Sequence, residues 1–511
     1  MQLLWFRRDL RLRDNQMVAA AVATGEPVLP FFIIDPWFYD HPEVGSLRIR
    51  FLFDSLRDLD RQLRNCGNRL WLFEDKSLDV LRQLAHVCHE ADLHPHLRWL
   101  ADVQFDYGRE RDQTIWTEWQ ARGWPCTVGL NNYLKRRPHQ RDEWFSGYYA
   151  HQRSPLHPLP QSLPPATLPQ PLPQLAIEDL YTHYSDPGFP TSPWFTGGSR
   201  AGQQQLDDFL RDRFWGYHWR MSQPAQAQAG GTTFLSPHIM FGTLSIRQVY
   251  QQIKARAAEL AYSEPAQRAL KGVRDRLRWR DSAQQRLRDC PKIATDCLYD
   301  EFNAYYTATP LTNQQADWYN AWCEGRTGFP LVDASMRQLK RWGWMNFRMR
   351  AMCATFLTIN CGISWQYGAQ HYMHCLIDGD VAIDHWQWQA QAGITNPLAG
   401  IVRIYNPNKN LATKDPDLAF VQRWVPELRG QDLAAILSGR VPGYPAPMLD
   451  WSQTRRIYGG RVTALRRAVK ARLEREQGED YHWAVIAKTM AGKWQQRRRA
   501  AGQTRSTTTS R

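Results

Sequence analysis

The sequence predicts an α/β N-terminal domain with a parallel, doubly wound sheet, followed by a mostly α-helical C-terminal domain. Three observations support this prediction. Short apolar runs alternate with amphipathic stretches over residues 1–125, a proline-rich segment covers residues 151–175, and helical periodicity dominates from residue 196. With 511 residues, the chain is also too long for one ordinary core. We therefore expect at least two domains.

The N-terminal domain is predicted over residues 1–130. The runs QLLWF, PVLPFFIID and NRLWLFE are apolar enough for buried strands, whereas LRIRFLFDSLRDLDRQLRN and SLDVLRQLAHVCHE have the spacing of amphipathic helices. Strands and helices in alternation favour right-handed crossovers and a parallel sheet. The first strand-to-helix loop, WFRRDLRLRDN, contains four arginines, which suit either a ligand-binding edge or an ordinary solvated edge.

The rest of the chain divides into three predicted segments. Residues 131–195 form a linker, because its stretch 151–175 contains eight prolines and proline cannot donate to a strand ladder. Residues 196–440 form a helical domain, with patterns such as LSIRQVYQQIKARAAELA and MNFRMRAMCATFLTIN. Residues 441–511 form a basic extension. Its end, from Lys488 onward, has no acidic residue, and we expect it to be disordered with weak affinity for polyanions.

Charge and cysteine usage restrict the function classes. The chain carries 64 Lys+Arg against 50 Asp+Glu, and this net charge of +14 indicates either a nucleic-acid partner or a solubilising surface. The nine cysteines include no CxxC pair, so we expect no metal centre. No signal peptide pattern and no apolar run of membrane-spanning length are present, which predicts a cytoplasmic protein without a membrane partner.

The segment TTFLSPHIMFGTLS, residues 232–245, begins a predicted helix. Ser236 followed by Pro237 is typical of an N-cap hydroxyl with proline at the first helical position. Thr232 and Thr233 add two hydroxyl groups beside the free N–H groups of the first turn. Such a helix start suits phosphate binding, although plain helix capping explains the same pattern.

Charged residues in apolar surroundings form a second candidate site. Arg348 and Arg350 lie among apolar side chains in GWMNFRMRAM, and Asp378 and Asp380 lie in LIDGDVAIDHWQW. Buried arginines need acidic partners, so these four residues are candidates for mutual ion pairs. The pattern fits either a buried structural pair or a polar ring around a flat, hydrogen-bonding ligand.

Five segments together resemble the photolyase/cryptochrome family, in that family's order: GRTGFPLVDASMRQL, GWMNFRMRAM, LIDGDVAIDHWQW, TTFLSPHIMFGTLS and LLWFRRDLRLRDN. The resemblance extends from residue 1 to about Leu428 and includes RIYNP and FVQRWVPEL. It implies that the helical domain holds FAD, folded in a U. It also implies an N-terminal domain that can carry a second, antenna chromophore, which would be a folate, a deazaflavin or another flavin.

By position, the resemblance assigns ten residues to FAD, namely Tyr217, Thr232, Thr233, Leu235, Ser236, Arg280, Arg350, Asp378, Asp380 and Asp384. The segment from Thr232 to Ser236 matches the one that holds the diphosphate. Arg350 and Asp378 match the ion pair against the isoalloxazine ring, and Asp380 matches the acid at its pyrimidine edge. Asp384 aligns with the residue that faces flavin N5.

The resemblance also implies an electron-transfer chain of aromatic residues. Trp386 matches the residue next to the flavin, and Trp365 matches the second step. Thr312 occupies the usual position of the third, surface indole, so Trp318 or Tyr306 is the candidate substitute. Such a chain would reduce the flavin under light, because indole is easily oxidised.

The substrate side matches repair enzymes in part. Trp279 and Trp388 match the two indoles that sandwich a flipped pyrimidine dimer, and Arg276 and Arg348 lie on the same side. Arg276, however, replaces a glutamate of the dimer-repairing pattern. The chain also has Phe347 and Ala351 where that pattern has an asparagine and a methionine.

Three functions follow as alternatives. The first is light-driven repair of cyclobutane pyrimidine dimers in DNA, single- or double-stranded, which the basic charge and the stacking indoles favour. The second is a cryptochrome-type blue-light receptor with a signalling partner that the sequence does not define, which Arg276, Phe347, Ala351 and Asp384 favour. The third is a basic nucleotide-binding protein without photochemistry. We favour repair.

Overall fold

The structure is a computed structural model that describes residues 1–101, 104–130, 133–135, 141–183, 195–307, 309–399 and 402–478. Two compact units alternate along the chain. The first comprises Met1–Ala294, Arg337–Arg348 and Gln370–Asp384, and the second comprises Thr295–Met336, Met349–Ala369 and the described chain from His385 onward. The domain boundaries predicted at residues 130, 195 and 440 stay predictions. The basic end from Lys488 lies outside the described residues.

A five-stranded parallel sheet opens the first unit and confirms the predicted α/β fold. Its strands are β1 Gln2–Trp5, β2 Val28–Ile34, β3 Trp71–Glu74, β4 His96–Leu100 and β5 Cys126–Gly129. Their order is β3-β2-β1-β4-β5, with parallel pairing throughout. The apolar runs predicted the first three strands. β4 escaped prediction because a polar residue interrupts it: Arg98 is buried and donates to the Gln2 side chain at 2.5 Å.

Helices make up most of the remaining chain, as predicted. In the N-terminal part they are α1 Gln16–Val22, α2 Pro36–Tyr39, α3 Ser46–Asn65, α4 Ser77–Glu90, α5 Asp106–Ala121, α6 Arg141–Arg153 and α7 Ile177–His183. Next come α8 Ser199–Asp208, α9 Tyr217–Arg220, α10 Pro224–Gln226, α11 Ser236–Met240, α12 Ile246–Glu259 and α13 Glu264–Asp289. The last group is α14 Asn313–Glu324, α15 Pro330–Trp342, α16 Phe347–Thr355, α17 Trp365–Cys375, α18 Val381–Gln391, α19 Pro407–Lys414, α20 Ala419–Trp424, α21 Leu433–Leu437 and α22 Trp451–Glu476.

Single turns of other helix types join several of these elements. The π-helical turns are Phe209–Arg213, Ala227–Gly231 and Phe356–Asn360. The 3₁₀ turns are Pro291–Ala294, Asp300–Phe302, Pro397–Ala399 and Pro426–Leu428. Within the described ranges, no helix combines the length and the apolar composition needed to cross a lipid bilayer. The same ranges hold no group of three or more His, Cys, Asp or Glu side chains arranged as metal ligands.

Apolar side chains on both faces of the sheet explain why helices cover both faces. Leu3 and Trp5 of β1 pack with apolar residues of α4 and α5. Leu4, between them, points the other way and packs with residues of α1 and α3. Because successive side chains of a strand alternate between faces, a strand that is apolar at every position must be buried on both. This is the doubly wound arrangement that the sequence predicts.

Beyond the end of α6 at Arg153, the proline-rich segment contains no helix or strand up to Leu175, as predicted, yet it packs along the sheet. Val28 of β2 donates to the Pro164 carbonyl at 2.7 Å and accepts from the Ala166 N–H at 3.0 Å. Leu175 donates to the Leu72 carbonyl of β3 at 3.0 Å. The side chain of Leu163 is fully buried. The segment is thus held by the backbone of β2 and β3.

Candidate functional site

A buried carboxylate, Asp380, is the centre of the candidate site in the first unit. It is 3% exposed and precedes α18, where its Oδ1 accepts the N–H of Ala382 at 3.1 Å. Gln284 Nε2 donates to both carboxylate oxygens at 2.7 Å. The guanidinium groups of Arg8 and Arg280 lie 3.2 Å and 3.5 Å from Oδ2. The carboxylate is therefore charge-paired, hydrogen-bonded and fixed in position.

Arg8 connects this carboxylate to the predicted phosphate segment. Its Nε donates to the carbonyl of Met240, the last residue of α11, at 3.2 Å, while its Nη2 pairs with Asp380. Arg7, the preceding residue, forms a bidentate pair with Asp112 of α5 at 2.7 Å and 2.9 Å. The arginine-rich loop is therefore not a solvated edge at these two positions. It holds α5, α11 and α18 against the end of β1.

Sequence reasoning missed Arg48, a buried cation of α3. Both Nε and Nη2 of Arg48 donate to the Leu376 carbonyl at 3.1 Å. A methyl group on Gly379 would overlap Nη2, so the guanidinium lies directly against the backbone of the DGD turn. Burial lowers the pKa of Arg48 to about 10, and the negative charges of Glu43 and Asp378 oppose this shift. Arg48 therefore supplies a positive charge next to the turn that carries the predicted flavin-side acids Asp378 and Asp380.

The predicted phosphate segment is a helix start, but its cap differs from the prediction. Ser236 was expected as the N-cap, and this is wrong because Leu235 occupies the cap position and Ser236 is the first helical residue. Phe234, with φ 55°, turns the chain before the helix, and the Thr233 hydroxyl accepts the Leu235 N–H at 3.3 Å. In the described part of the chain, no side chain caps α11. Pro237 has no N–H and the Ile239 N–H donates to the Leu235 carbonyl at 2.9 Å, so Ser236 and His238 supply the N–H groups of this helix start.

These residues fit FAD by the chemistry of their donors and acceptors. A diphosphate needs hydroxyl, N–H and guanidinium donors, and the segment 232–236 and Arg280 supply all three types. Thr232 and Thr233 are half-buried and Ser236 is exposed, so their hydroxyls can reach a ligand. The edge of an isoalloxazine ring both donates and accepts, which suits the fixed carboxylate of Asp380. The individual contacts with FAD stay predictions.

Asp281, the neighbour of Arg280, should make the stability of the first unit depend on pH. Burial raises its pKa to about 7, although Arg280 at 3.5 Å and the Tyr133 N–H at 3.4 Å oppose the shift. The folded state then holds this proton more tightly than the unfolded state. Its contribution to the free energy of unfolding is complete below about pH 4 and is lost as the pH rises through about 7.

We therefore expect Asp281→Asn to flatten the fall in melting temperature between about pH 4 and about pH 7. Thermal unfolding followed by circular dichroism at several pH values measures this slope. Asp317→Asn, which removes an exposed carboxylate from α14, is the matched control and should leave the slope unchanged. Equal slopes for the Asp281 variant and the unaltered protein would contradict the assignment.

On the predicted substrate side, an exposed indole and an exposed phenyl ring flank one arginine. Trp279 is 56% exposed, and Phe347 is also exposed. The guanidinium of Arg276 lies 5.5 Å from the centre of each ring and 5.7 Å from the buried ring of Tyr217. The Arg348 guanidinium lies 5.2 Å from the Phe347 ring. The structure thus brings together three of the four predicted substrate-side residues, Trp279, Arg276 and Arg348, within the first unit.

In the second unit, Trp365 is fully buried at the start of α17. Its Nε1 donates to the sulfur of Cys297 at 3.4 Å, and its ring lies 5.5 Å from the ring of His385. His385 precedes Trp386, the residue predicted beside the flavin, and sequence reasoning had assigned it no role. The step from Trp386 to Trp365 stays a prediction.

The other predicted aromatic residues are distributed through the second unit. Trp388 is 1% exposed. The centre of its ring lies 6.1 Å from the ring centre of Trp322, which in turn lies 6.2 Å from that of Tyr319. A methyl group on Gly368 would overlap the Trp388 ring, which shows how closely this indole is packed. Its exposure leaves little free surface for a stacked base, and its substrate role stays a prediction.

Both candidates for the third electron-transfer residue lie in the second unit. Trp318 is half-buried on α14, and Tyr306 is buried with its hydroxyl donating to the Ala392 carbonyl at 2.9 Å. Thr312, at the usual position of this indole, is the N-cap of α14, and Gln315 completes a capping box with it. Helix capping thus explains a threonine here.

The predicted ion pair against the flavin ring joins residues of different units. Arg350 belongs to the second unit and Asp378 to the first. Their ion pair stays a prediction, as does the orientation of Asp384 toward flavin N5. Asp384 is 9% exposed, and its N–H donates to the Asp380 carbonyl at 2.8 Å in the first turn of α18.

Comparisons with known proteins identify two segments of this chain. The model of the DNA photolyase family matches residues 2–136, and the model of the FAD binding domain of DNA photolyase matches residues 273–464. The second match includes α13 from Val273 onward, Asp380 and the tryptophans of α18. FAD is therefore the cofactor of this chain.

Similar proteins carry both names of the family. A deoxyribodipyrimidine photo-lyase of Streptomyces griseus is 30% identical over 478 residues, which cover 88% of this chain and 96% of the relative. Cryptochrome DASH of Gloeobacter violaceus is 29% identical over 84% of this chain and 86% of its own length. A crystal structure of an archaeal photolyase from Sulfolobus tokodaii with two FAD molecules has a TM-score of 0.75 and 26% identity, over 92% of this chain and 100% of that chain. This chain therefore belongs to the photolyase/cryptochrome family of FAD-binding proteins.

Proposed function

We propose that this protein is a deoxyribodipyrimidine photolyase that repairs cyclobutane pyrimidine dimers in DNA under blue light. Bound FAD, in its reduced form, would supply the electron that splits the cyclobutane ring. The polypeptide then has to fix the cofactor, receive the extruded dimer and hold the DNA backbone. Photolyases among the similar proteins support this proposal.

One observation carries the proposal. Trp279 and Arg280 are consecutive residues of α13, so their side chains leave the helix about 100° apart and face different surroundings. The Trp279 indole faces solvent at 56% exposure, whereas the Arg280 guanidinium lies 3.5 Å from the buried carboxylate of Asp380. A pyrimidine dimer stacked on Trp279 would therefore be held by the same helix that orients the predicted flavin-side acid. A rigid helix keeps two such groups at a constant separation.

The test is light-dependent repair of an oligonucleotide that carries one cyclobutane thymine dimer, using chemically reduced holoprotein. We expect thymine to be restored under blue light and not in the dark. Trp279→Ala should weaken binding of the lesion by about 1–3 kcal/mol, because it removes one stacking surface. Binding and repair are measured separately, by fluorescence anisotropy and by chromatography of the products.

Trp116→Ala is the matched control for this test. Trp116 is an exposed indole of α5, outside the predicted site, so its loss should change neither binding nor repair. The proposal would be overturned by holoprotein that contains FAD and reduces it under light, yet restores no thymine in either single-stranded or duplex DNA.

A blue-light receptor is the second candidate, and Arg276 favours it. The resemblance predicts a glutamate at this position, and the structure instead places a guanidinium among the rings of Tyr217, Trp279 and Phe347. A cation cannot accept a hydrogen bond from a thymine edge. Absence of repair in the experiment above, with normal photoreduction, would favour this function. The signalling partner and a second chromophore are also proposals for this chain.

A further inference from the structure

Exposed aromatic side chains are concentrated around α9 and α13 in the first unit. Trp215 and Trp219 are 43% and 46% exposed, and they join Trp279 and Phe347, which are exposed as described above. We call the aromatic–arginine face the surface formed by Trp215, Trp219, Arg220, Arg276, Trp279 and Phe347. Exposed apolar rings of this size are frequent at binding surfaces.

A tight turn at Gly216 presents the first two indoles. Gly216 is left-handed, with φ 69°, and a Cβ atom there would lie 2.7 Å from Trp219 Nε1. The Trp219 indole therefore lies over the backbone of this turn. Arg220 Nη1 points back to the Trp215 carbonyl at 3.4 Å. The Trp219 indole and the Arg220 side chain thus both lie against Gly216, whereas the Trp215 ring packs on Phe214 with 4.6 Å between the ring centres.

Tyr217 joins this turn to the substrate side. Its ring is buried where α9 packs against α13, and a Cβ atom on Gly272 of α13 would lie 3.5 Å from it. The Tyr217 ring also lies 5.7 Å from the Arg276 guanidinium, which in turn lies against Trp279 and Phe347. Tyr217 therefore links the turn that carries Trp215 and Trp219 to the helix that carries Arg276 and Trp279.

The charges of this face suit a polyanion. Among the described residues, no carboxylate forms an ion pair with Arg220 or Arg276, so both guanidinium groups can take up a phosphate. The whole of α13 carries eight Lys and Arg against four Asp and Glu. A ligand that matches rings and cations together must offer both flat aromatic groups and negative charges.

We infer that the aromatic–arginine face binds unpaired nucleotides of single-stranded DNA next to the lesion, with bases on the indoles and phosphates on the arginines. A duplex hides its base faces in the stack and could use only the arginines, so this face prefers single strands. The inference rests on the proposed function, because it concerns the strand that would carry the dimer. It adds a second stacking platform, at Trp215 and Trp219, outside the predicted dimer pocket.

The test measures DNA binding in the dark, without any lesion. Fluorescence anisotropy of a labelled, undamaged oligothymidylate is compared with the same strand in a duplex with oligoadenylate, using holoprotein. We expect tighter binding of the single strand. Trp219→Ala and Trp215→Ala should each weaken single-strand binding by about 5- to 150-fold and leave duplex binding unchanged. Arg276→Gln should lower the slope of log affinity against log salt by about 1 for both ligands.

Trp116→Ala, which removes an exposed indole from α5, is again the control and should change neither affinity. Equal affinity for single strand and duplex, or single-strand binding unchanged by Trp219→Ala, would overturn the inference. These outcomes do not depend on light or repair. Loss of repair with preserved single-strand preference would overturn the proposed function alone, and normal repair without that preference would overturn this inference alone.

Discussion

Asp380→Ala should abolish stable FAD binding and lower the free energy of unfolding by about 3–5 kcal/mol. The carboxylate is buried. Both of its oxygens accept a hydrogen bond from Gln284 Nε2 at 2.7 Å, and it forms ion pairs with Arg8 and Arg280. Alanine would leave two guanidinium groups and an amide without this acceptor, and α18 would lose its cap. The flavin-to-protein absorbance ratio after gel filtration and urea unfolding measure the two effects.

Asp380→Asn distinguishes the contribution of the negative charge of Asp380 from that of its hydrogen bond to the start of α18. Asparagine can still accept the Ala382 N–H, but it no longer neutralises Arg8 and Arg280. We expect an intermediate loss of stability for this variant. Asp317→Ala, on the exposed side of α14, should have no effect on either measurement. If Asp380→Ala retained a full complement of FAD, Asp380 would not be a flavin-side residue.

Gly379→Ala, which adds a single methyl group, should also be strongly destabilising. The added methyl group overlaps Arg48 Nη2, and this guanidinium is buried and donates to the Leu376 and Met373 carbonyls. Overpacking costs roughly 1–3 kcal/mol, and the cost rises once the cation leaves its acceptors. We expect a lower melting temperature and weaker FAD retention, because the displaced turn carries Asp378 and Asp380.

A double-mutant cycle identifies the cause of this effect. Arg48→Met removes the guanidinium and should by itself cost about 3–5 kcal/mol. In the Arg48→Met background, Gly379→Ala should cost much less than in the unaltered protein, because the group it overlaps is gone. Gly460→Ala on α22, where no atom lies within 4 Å of the added methyl group, is the control and should be neutral or stabilising. Additive effects at residues 48 and 379 would show that the overlap is not the cause.

The sequence predicts an element of the fold wherever the pattern of apolar residues within that element is enough to identify it. β1, β2 and β3 are mostly apolar, and α12 has regular spacing after the Ser245 cap, so periodicity and capping suffice. β4 needs a partner to be recognised. Arg98 can lie inside a strand because Gln2 of β1 accepts its hydrogen bond, and no pattern within β4 reveals that neighbour.

The sequence offers candidate site residues where these lie in one motif, as with Asp378, Asp380 and the 232–236 segment, and their contacts with FAD stay predictions. Arg48 was not, because the carbonyl groups that receive its hydrogen bonds follow it by more than 300 positions in the chain. A signal was present, since an arginine in the apolar stretch LRIRFLF of an amphipathic helix needs acceptors in the core. The sequence does not identify those acceptors. The packing of Trp388 is equally a property of the folded chain.

The proline-rich segment has a consequence for how this protein can be divided. Residues 163–166 and 175 complete the hydrogen bonding of β2 and β3, although they follow the last strand by more than 30 residues. A fragment that ended at residue 130 would expose these backbone groups and the apolar surface that Leu163 covers, and unpaired strand edges recruit other chains. A soluble fragment of the sheet must therefore extend beyond Leu175. The connector is part of the first folding unit, and its prolines, which have no N–H to offer, prevent further strands from adding at that edge.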